Sequence, residues 1–168
     1  YDGHSTTTAS LNVVIEDDSP LSGAQVMRVD ATTGTQNTNL MLIIDTSGSM
    51  KDTLADKTVN GIKAAIKSLV DRYDDLGDVK IQIVTFSDGA QGRPAWLTVA
   101  QAKTFIDTLT ANGGTNYDAA LAAAKASFAT TGKLTDGVNV SYFITDGQPT
   151  SGKGIDTGSD ETNWEKFL

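Results

Sequence analysis

Three short stretches of the chain carry groups that could act on one point. Asp45-Thr46-Ser47-Gly48-Ser49 places one carboxylate and two hydroxyls in a tight turn. Gly113-Gly114-Thr115 offers a third hydroxyl, and Thr145-Asp146-Gly147 a second carboxylate. Asp45, Ser47, Ser49, Thr115 and Asp146 are all oxygen donors. Two carboxylates with no sulfur or imidazole suit one hard divalent cation: Mg²⁺, Mn²⁺ or Ca²⁺. If only some of the five bind directly, one coordination position stays open. A plainer role exists for each motif alone, because aspartates cap helices and serines fill turns. Three such motifs at the ends of expected strands and loops favour the cation.

Other chemistries fit less well. The chain has no Cys, which removes disulfides, thiolate metal sites and cysteine nucleophiles. Its single histidine is His4, in a Gly/Ser/Thr-rich stretch, so a Ser-His-Asp triad has no base near Ser47 or Ser49. There is no Gly-x-Ser-x-Gly elbow either. Residues 147–153 have P-loop spacing, but Gly154 stands where a Ser or Thr would hold magnesium. Pro149 also removes an amide from any phosphate cradle, so the stretch reads as a mobile loop. Residues 156–165 hold scattered acids without EF-hand spacing. No motif places a general base, so the expectation is a binding or structural module and not an enzyme. A metal-assisted hydrolase is the rival.

Composition narrows the partners. Lys and Arg total 13 against 21 Asp and Glu, a net charge of −8. That leaves no basic footprint for nucleic acid or for an anionic membrane surface. Of the 21 acids 18 are Asp, whose short side chain suits cation sites built from loops. Hydrophobic residues make up 39% of the 168, enough for a packed core, and no apolar run is long enough to span a bilayer. The chain opens Tyr-Asp-Gly-His, as a segment of a longer protein would.

Strands and helices must position the motifs. Residues 40–44 are continuously apolar and end at Asp45, the pattern of a strand buried on both faces. Val59, Ile62, Ile66, Leu69, Val70 and Tyr73 recur at helical steps, predicting one helix over 54–73. Residues 79–86 read as a second strand, and 90–97 as an antiparallel return through Ser87-Asp88-Gly89. Thr98 and Gln101 form a capping box at the start of the next helix. A further helix covers 116–129, and a strand over 138–145 delivers Asp146. A helix barely begins at 164–168. This alternation predicts an α/β doubly wound, mostly parallel sheet with helices on both faces. Ligands of such sheets sit outside the carboxyl ends of the strands, where the three motifs fall.

In that order, Asp45-x-Ser47-x-Ser49, Gly-Gly-Thr115 and Thr-Asp146-Gly resemble the metal-ion-dependent adhesion site of von Willebrand factor type A domains. The segment Val-Thr-Phe-Ser-Asp-Gly-Ala after the second strand is similar to the family's usual one. The resemblance covers residues 39–150. It implies hydroxyl ligation by Ser47, Ser49 and Thr115, with Asp45 and Asp146 acting directly or through water. It also implies that a partner's carboxylate takes the last position.

A second resemblance concerns residues 8–20, an alternating strand that ends in Glu16-Asp17-Asp18-Ser19-Pro20. It is similar to the closing strand and acidic linker of extender modules in giant bacterial repeats-in-toxin adhesins. That implies a linker Ca²⁺ at Asp17 and Asp18. The expected domains are then 1–20, the end of a β-sandwich module, and 21–168, a type A domain that lacks the family's C-terminal strands. The implied function is a cation-dependent binding module of an extracellular, cell-surface adhesin. Its partner would be a protein or other ligand offering a carboxylate, or a neighbouring domain. The alternatives are an intracellular type A domain of a chelatase or ATPase-associated complex, and a purely structural module.

Overall fold

The computed structural model describes residues 35–59, 61–150 and 154, all within one unit of the chain, Gly34–Leu168. The strand expected within residues 8–20, the acids Asp17 and Asp18, the boundary at residue 20 and the helix start at 164–168 lie outside the described residues.

Among the described residues, four strands form one sheet. They are β1 (Thr38–Asp45), β2 (Val79–Phe86), β3 (Ala90–Gly92) and β4 (Val138–Ile144), in the order β3-β2-β1-β4. β1 runs parallel to β2 and to β4, while β3 is antiparallel to β2. Every residue of β1 is buried, which is why residues 40–44 are apolar without alternation. Leu40, Leu42 and Ile44 face one core with Ile66, Val70, Ala102 and Ile106. Met41 and Ile43 face the other with Phe86, Trp96, Ala120 and Ala124. Each fully buried Leu, Ile, Val, Met or Phe among these contributes about 1.5–3 kcal/mol. The first core is covered by α2 (Ile62–Asp74) and α3 (Val99–Thr108), the second by α4 (Tyr117–Phe128). Helices therefore lie on both faces, as expected.

β1 also carries the switch point. The chain leaves it for β2 on one side, and returns to it as β4 on the other. Asp45 pairs in register with Phe86, and Ile44 with Ile144. The ends of β1 and β4 thus lie side by side, and the chain segments carrying Asp45 and Asp146 leave from them.

The helix expected over 54–73 is two helices. A short α1 (Lys51–Ala55) stops at Asp56, and α2 begins at Ile62. Asp56 Oδ1 accepts the Thr58 N–H at 2.8 Å, a local turn that competes with helix propagation. These bonds from Thr58 hold the Asp56 carboxyl below its ordinary pKa. Val59, expected on the buried stripe, is 88% exposed. The antiparallel return is also shorter than its expected eight residues. After β3 its ladder with β2 stops, and it bonds β2 again through Arg93 and at an isolated Ile81–Leu97 bridge. Gln82, a polar residue within β2, is buried, and its amide nitrogen donates to Arg93 O, Ser127 O and Thr130 Oγ1. The Thr98–Gln101 capping box forms in both directions.

β4 is an edge strand among the described residues. Val140, Tyr142 and Ile144 pack on the first core. Phe143 lies against Phe86 and Tyr117, with ring centroids 5.1 and 5.0 Å away. One face of β4 is apolar, while the other carries Phe143 beside the polar Asn139 and Ser141. The Tyr73 and Tyr142 hydroxyls meet at 2.9 Å and tie α2 to β4. Burial, helped by that bond, pushes the Tyr73 pKa up to about 12.

Candidate metal centre

The turn after β1 is built by its own polar groups. Thr46 keeps hold of the end of β2, its N–H and its hydroxyl both donating to Phe86 O. Asp45 Oδ1 then accepts the Ser47 N–H at 2.7 Å, which bends the chain into a 3-10 turn over Gly48–Met50. This bend brings the Ser47 and Ser49 hydroxyls to 3.0 Å from each other. Ser49 Oγ donates to Asp146 Oδ1 at 2.8 Å across the gap from β1 to β4. Thr145 Oγ1 donates to Asp45 Oδ2 at 2.6 Å and joins the two carboxylate-bearing segments a second time. Asp45 and Ser47 are buried, whereas Ser49 and Asp146 are exposed.

Four of the five expected residues therefore stand in one hydrogen-bonded group. Thr115 is brought alongside by its backbone. Gly48 N–H donates to Gly113 O at 2.8 Å, and Asn112 N–H donates to Thr46 O at 2.8 Å. The Thr115 side chain is buried, and its hydroxyl has no hydrogen bond to the other four residues. Thr150 fixes the loop further: its N–H donates to Thr115 O, and its hydroxyl accepts the Thr115 N–H at 3.0 Å. The start of the stretch read as a mobile P-loop-like loop is thus tied to the site.

Two contributors escaped the sequence reading. Thr145 was part of a motif with no role assigned to it. It holds Asp45 and also meets the Tyr117 hydroxyl, which donates to Gly147 O. Asp88 was read as a turn residue, yet it contacts the Gly113-Gly114 loop. The Gly-Gly pair was the available signal for a close neighbour there.

The donor set fits a small hard cation. Around an octahedral ion with bonds of about 2.0–2.1 Å, neighbouring oxygens lie about 3 Å apart. The Ser47–Ser49 and Ser49–Asp146 separations of 3.0 and 2.8 Å have that spacing. No cluster of three or more His, Cys, Asp or Glu groups occurs among the described residues. The site is a two-carboxylate one completed by hydroxyls.

The family model for the von Willebrand factor type A domain matches residues 40–148, from the first buried strand past Asp146. The chain belongs to the von Willebrand factor type A family. No curated protein matches the sequence. Among solved structures, a von Willebrand factor type A protein from Catenulispora acidiphila is 28% identical, with a TM-score of 0.56 over 80% of this chain and 31% of its own. Proximal thread matrix protein 1 from the mussel byssus, with a zinc-occupied MIDAS motif, is 21% identical, with a TM-score of 0.57 over 79% of this chain and 34% of its own. The pilus adhesin SpaC from Lactobacillus rhamnosus GG is 18% identical, with a TM-score of 0.53 over 68% of this chain and 15% of its own. The chain spans a third or less of the length of most of these, and they share the type A fold.

The type A site yields a first prediction. Thr145→Val keeps the shape of the side chain but removes the donor to a buried carboxylate. An unsatisfied buried polar atom costs about 1–3 kcal/mol. Metal-free Thr145→Val is therefore expected to unfold several degrees below the parent, and to bind Mn²⁺ about tenfold more weakly. Unchanged melting and unchanged affinity would show that the Thr145–Asp45 bond contributes nothing.

Proposed function

We propose that this type A domain is a divalent-cation-dependent binding module, not an enzyme, and that its site is a metal-ion-dependent adhesion site. The observation that carries this reading is the run Asp146–Ser49–Ser47, joined to Asp45 through the Ser47 N–H and the Thr145 hydroxyl. Asp45, Ser47, Ser49, Thr115 and Asp146 would hold one Mg²⁺, Mn²⁺ or Ca²⁺. When bound, the cation supplies a coordination position for a carboxylate oxygen of a partner. The chain's own residues set the terms. Two aspartates supply the charge that retains the ion, and neutral hydroxyls complete the shell without cancelling its pull on a further anion. Ser49 and Asp146, being exposed, leave that side accessible to a partner.

The partner class is a protein or other extracellular ligand offering a carboxylate, or a neighbouring domain of the same adhesin. The place is the bacterial cell surface. A pilus adhesin and a byssal matrix protein among the similar structures support a role in adhesion. No helix among the described residues is long and apolar enough to cross a membrane. The finer proposal, a repeats-in-toxin adhesin with Ca²⁺ at Asp17 and Asp18, rests on the sequence of residues 8–20.

Thermal unfolding of the chain in MnCl₂ or MgCl₂ against EDTA tests the reading. A ligand held by the folded state alone stabilises it by about 2.7 kcal/mol at a hundredfold excess over its dissociation constant. Coincident curves at millimolar metal would contradict cation binding. A hydrolase screen with Mn²⁺ is expected to show no turnover, and turnover lost in Asp146→Ala would contradict the non-enzymatic reading.

A further inference from the structure

Asp88 stands just beyond β2, outside the five-residue set, and its contacts converge on the loop that delivers Thr115. Its Oδ1 accepts the Gly114 N–H at 2.9 Å. Its backbone carbonyl accepts from Asn116 Nδ2 at 3.0 Å, while Asn116 N–H donates to Ser87 O at 2.9 Å. The carboxylate also packs on both glycines. A Cβ on Gly113 would lie 2.4 Å from Asp88 Oδ2, and one on Gly114 would lie 2.7 Å from Oδ1. Only residues without a Cβ let the carboxylate approach this closely. Thr115 is thereby held from two sides, by Asp88 through Gly114 and Asn116, and by Thr150 through its own backbone.

We infer that Asp88 is a positioning residue for the metal site: by accepting the Gly114 N–H it sets the Gly113–Thr115 loop so that the Thr115 hydroxyl can serve as a ligand. The inference rests on the proposed cation site and deepens it. Both Asp88 oxygens are turned on the glycines, so the residue acts through the loop. Thr115 needs this help because its hydroxyl makes no hydrogen bond to the other four residues.

Two substitutions in the 168-residue chain separate positioning from charge. Asp88→Ala removes the acceptor and the charge. Asp88→Asn removes the charge but keeps an oxygen that can accept the Gly114 N–H. Partners of metal ligands typically change affinity 10–100-fold when lost. Mn²⁺ affinity, read from the free-ion paramagnetic resonance signal, should fall about 10–100-fold in Asp88→Ala and recover to within about threefold of the parent in Asp88→Asn. Equal losses in both variants would mean that Asp88 acts through its charge, and the positioning role would be overturned. Parent-like affinity in Asp88→Ala would overturn it too. A parent chain that binds no Mn²⁺ would remove the cation site itself, a failure visible before any variant is made. Amide hydrogen exchange on the metal-free parent covers the case in which Asp88→Ala does not fold. Gly114 should exchange slowly for a loop amide, and exchange at the rate of an unbonded amide would overturn the inference.

Discussion

Asp45→Ala is expected to abolish divalent-cation binding at millimolar Mg²⁺ or Mn²⁺, the largest effect of any single substitution at the site. Asp45 is fully buried, and it uses both carboxylate oxygens as acceptors, one from Ser47 N–H and one from Thr145 Oγ1. Neither a water nor a neighbouring hydroxyl replaces its charge. Asparagine is a poor substitute as well, since its single carbonyl oxygen leaves an NH₂ facing one of those two donors. Ser47→Ala should weaken binding less, because a water can take the place of a neutral ligand. Without metal, Asp45→Ala leaves the buried Ser47 N–H short of an acceptor, at about 1–3 kcal/mol. Calorimetric titration of the three proteins checks the order. Parent-like affinity in Asp45→Ala would remove this residue from the ligand set.

Gly113→Ala is expected to damage fold and site together. Gly113 has φ +84°, in the left-handed region that L residues enter at a cost of about 1–2 kcal/mol. The new methyl would also meet Asp88 Oδ2 at 2.4 Å, and the carbonyl of Gly113 is the acceptor for Gly48 N–H. Relieving the clash moves the contact that joins the Gly-Gly-Thr loop to the Asp-x-Ser-x-Ser turn. The melting temperature should fall by roughly 2–8 °C, with a loss of Mn²⁺ affinity of about tenfold or more. Melting curves with and without Mn²⁺ measure both, and a variant matching the parent in both would show that the loop tolerates a Cβ.

Much of the framework was legible because its cause is local. The apolar run of β1 reports burial on two faces, and the Thr98–Gln101 box marks the start of α3 through hydrogen bonds three residues apart. The five oxygen donors were legible as motifs, and four of them meet in one hydrogen-bonded group. What escaped depends on contacts that periodicity does not encode. The Asp56–Thr58 turn splits an amphipathic pattern that continues in the sequence across the break, and Val59 ends in solvent. Buried Gln82 looks polar in sequence because its partners, Arg93, Ser127 and Thr130, arrive from distant segments. Asp88 and Thr145 gain their roles only when β2, β4 and the loop before α4 converge, so no spacing within one segment announces them.

The central claim is that one divalent cation binds where the ends of β1 and β4 meet the Gly-Gly-Thr loop. Crystals grown in millimolar Mn²⁺ and measured at the manganese absorption edge test it most directly. The account predicts one anomalous peak within coordination distance, about 2.0–2.6 Å, of the Ser47 and Ser49 hydroxyls, with Thr115, Asp45 and Asp146 around it. Ordered side chains at all five positions with no anomalous peak among them would contradict it.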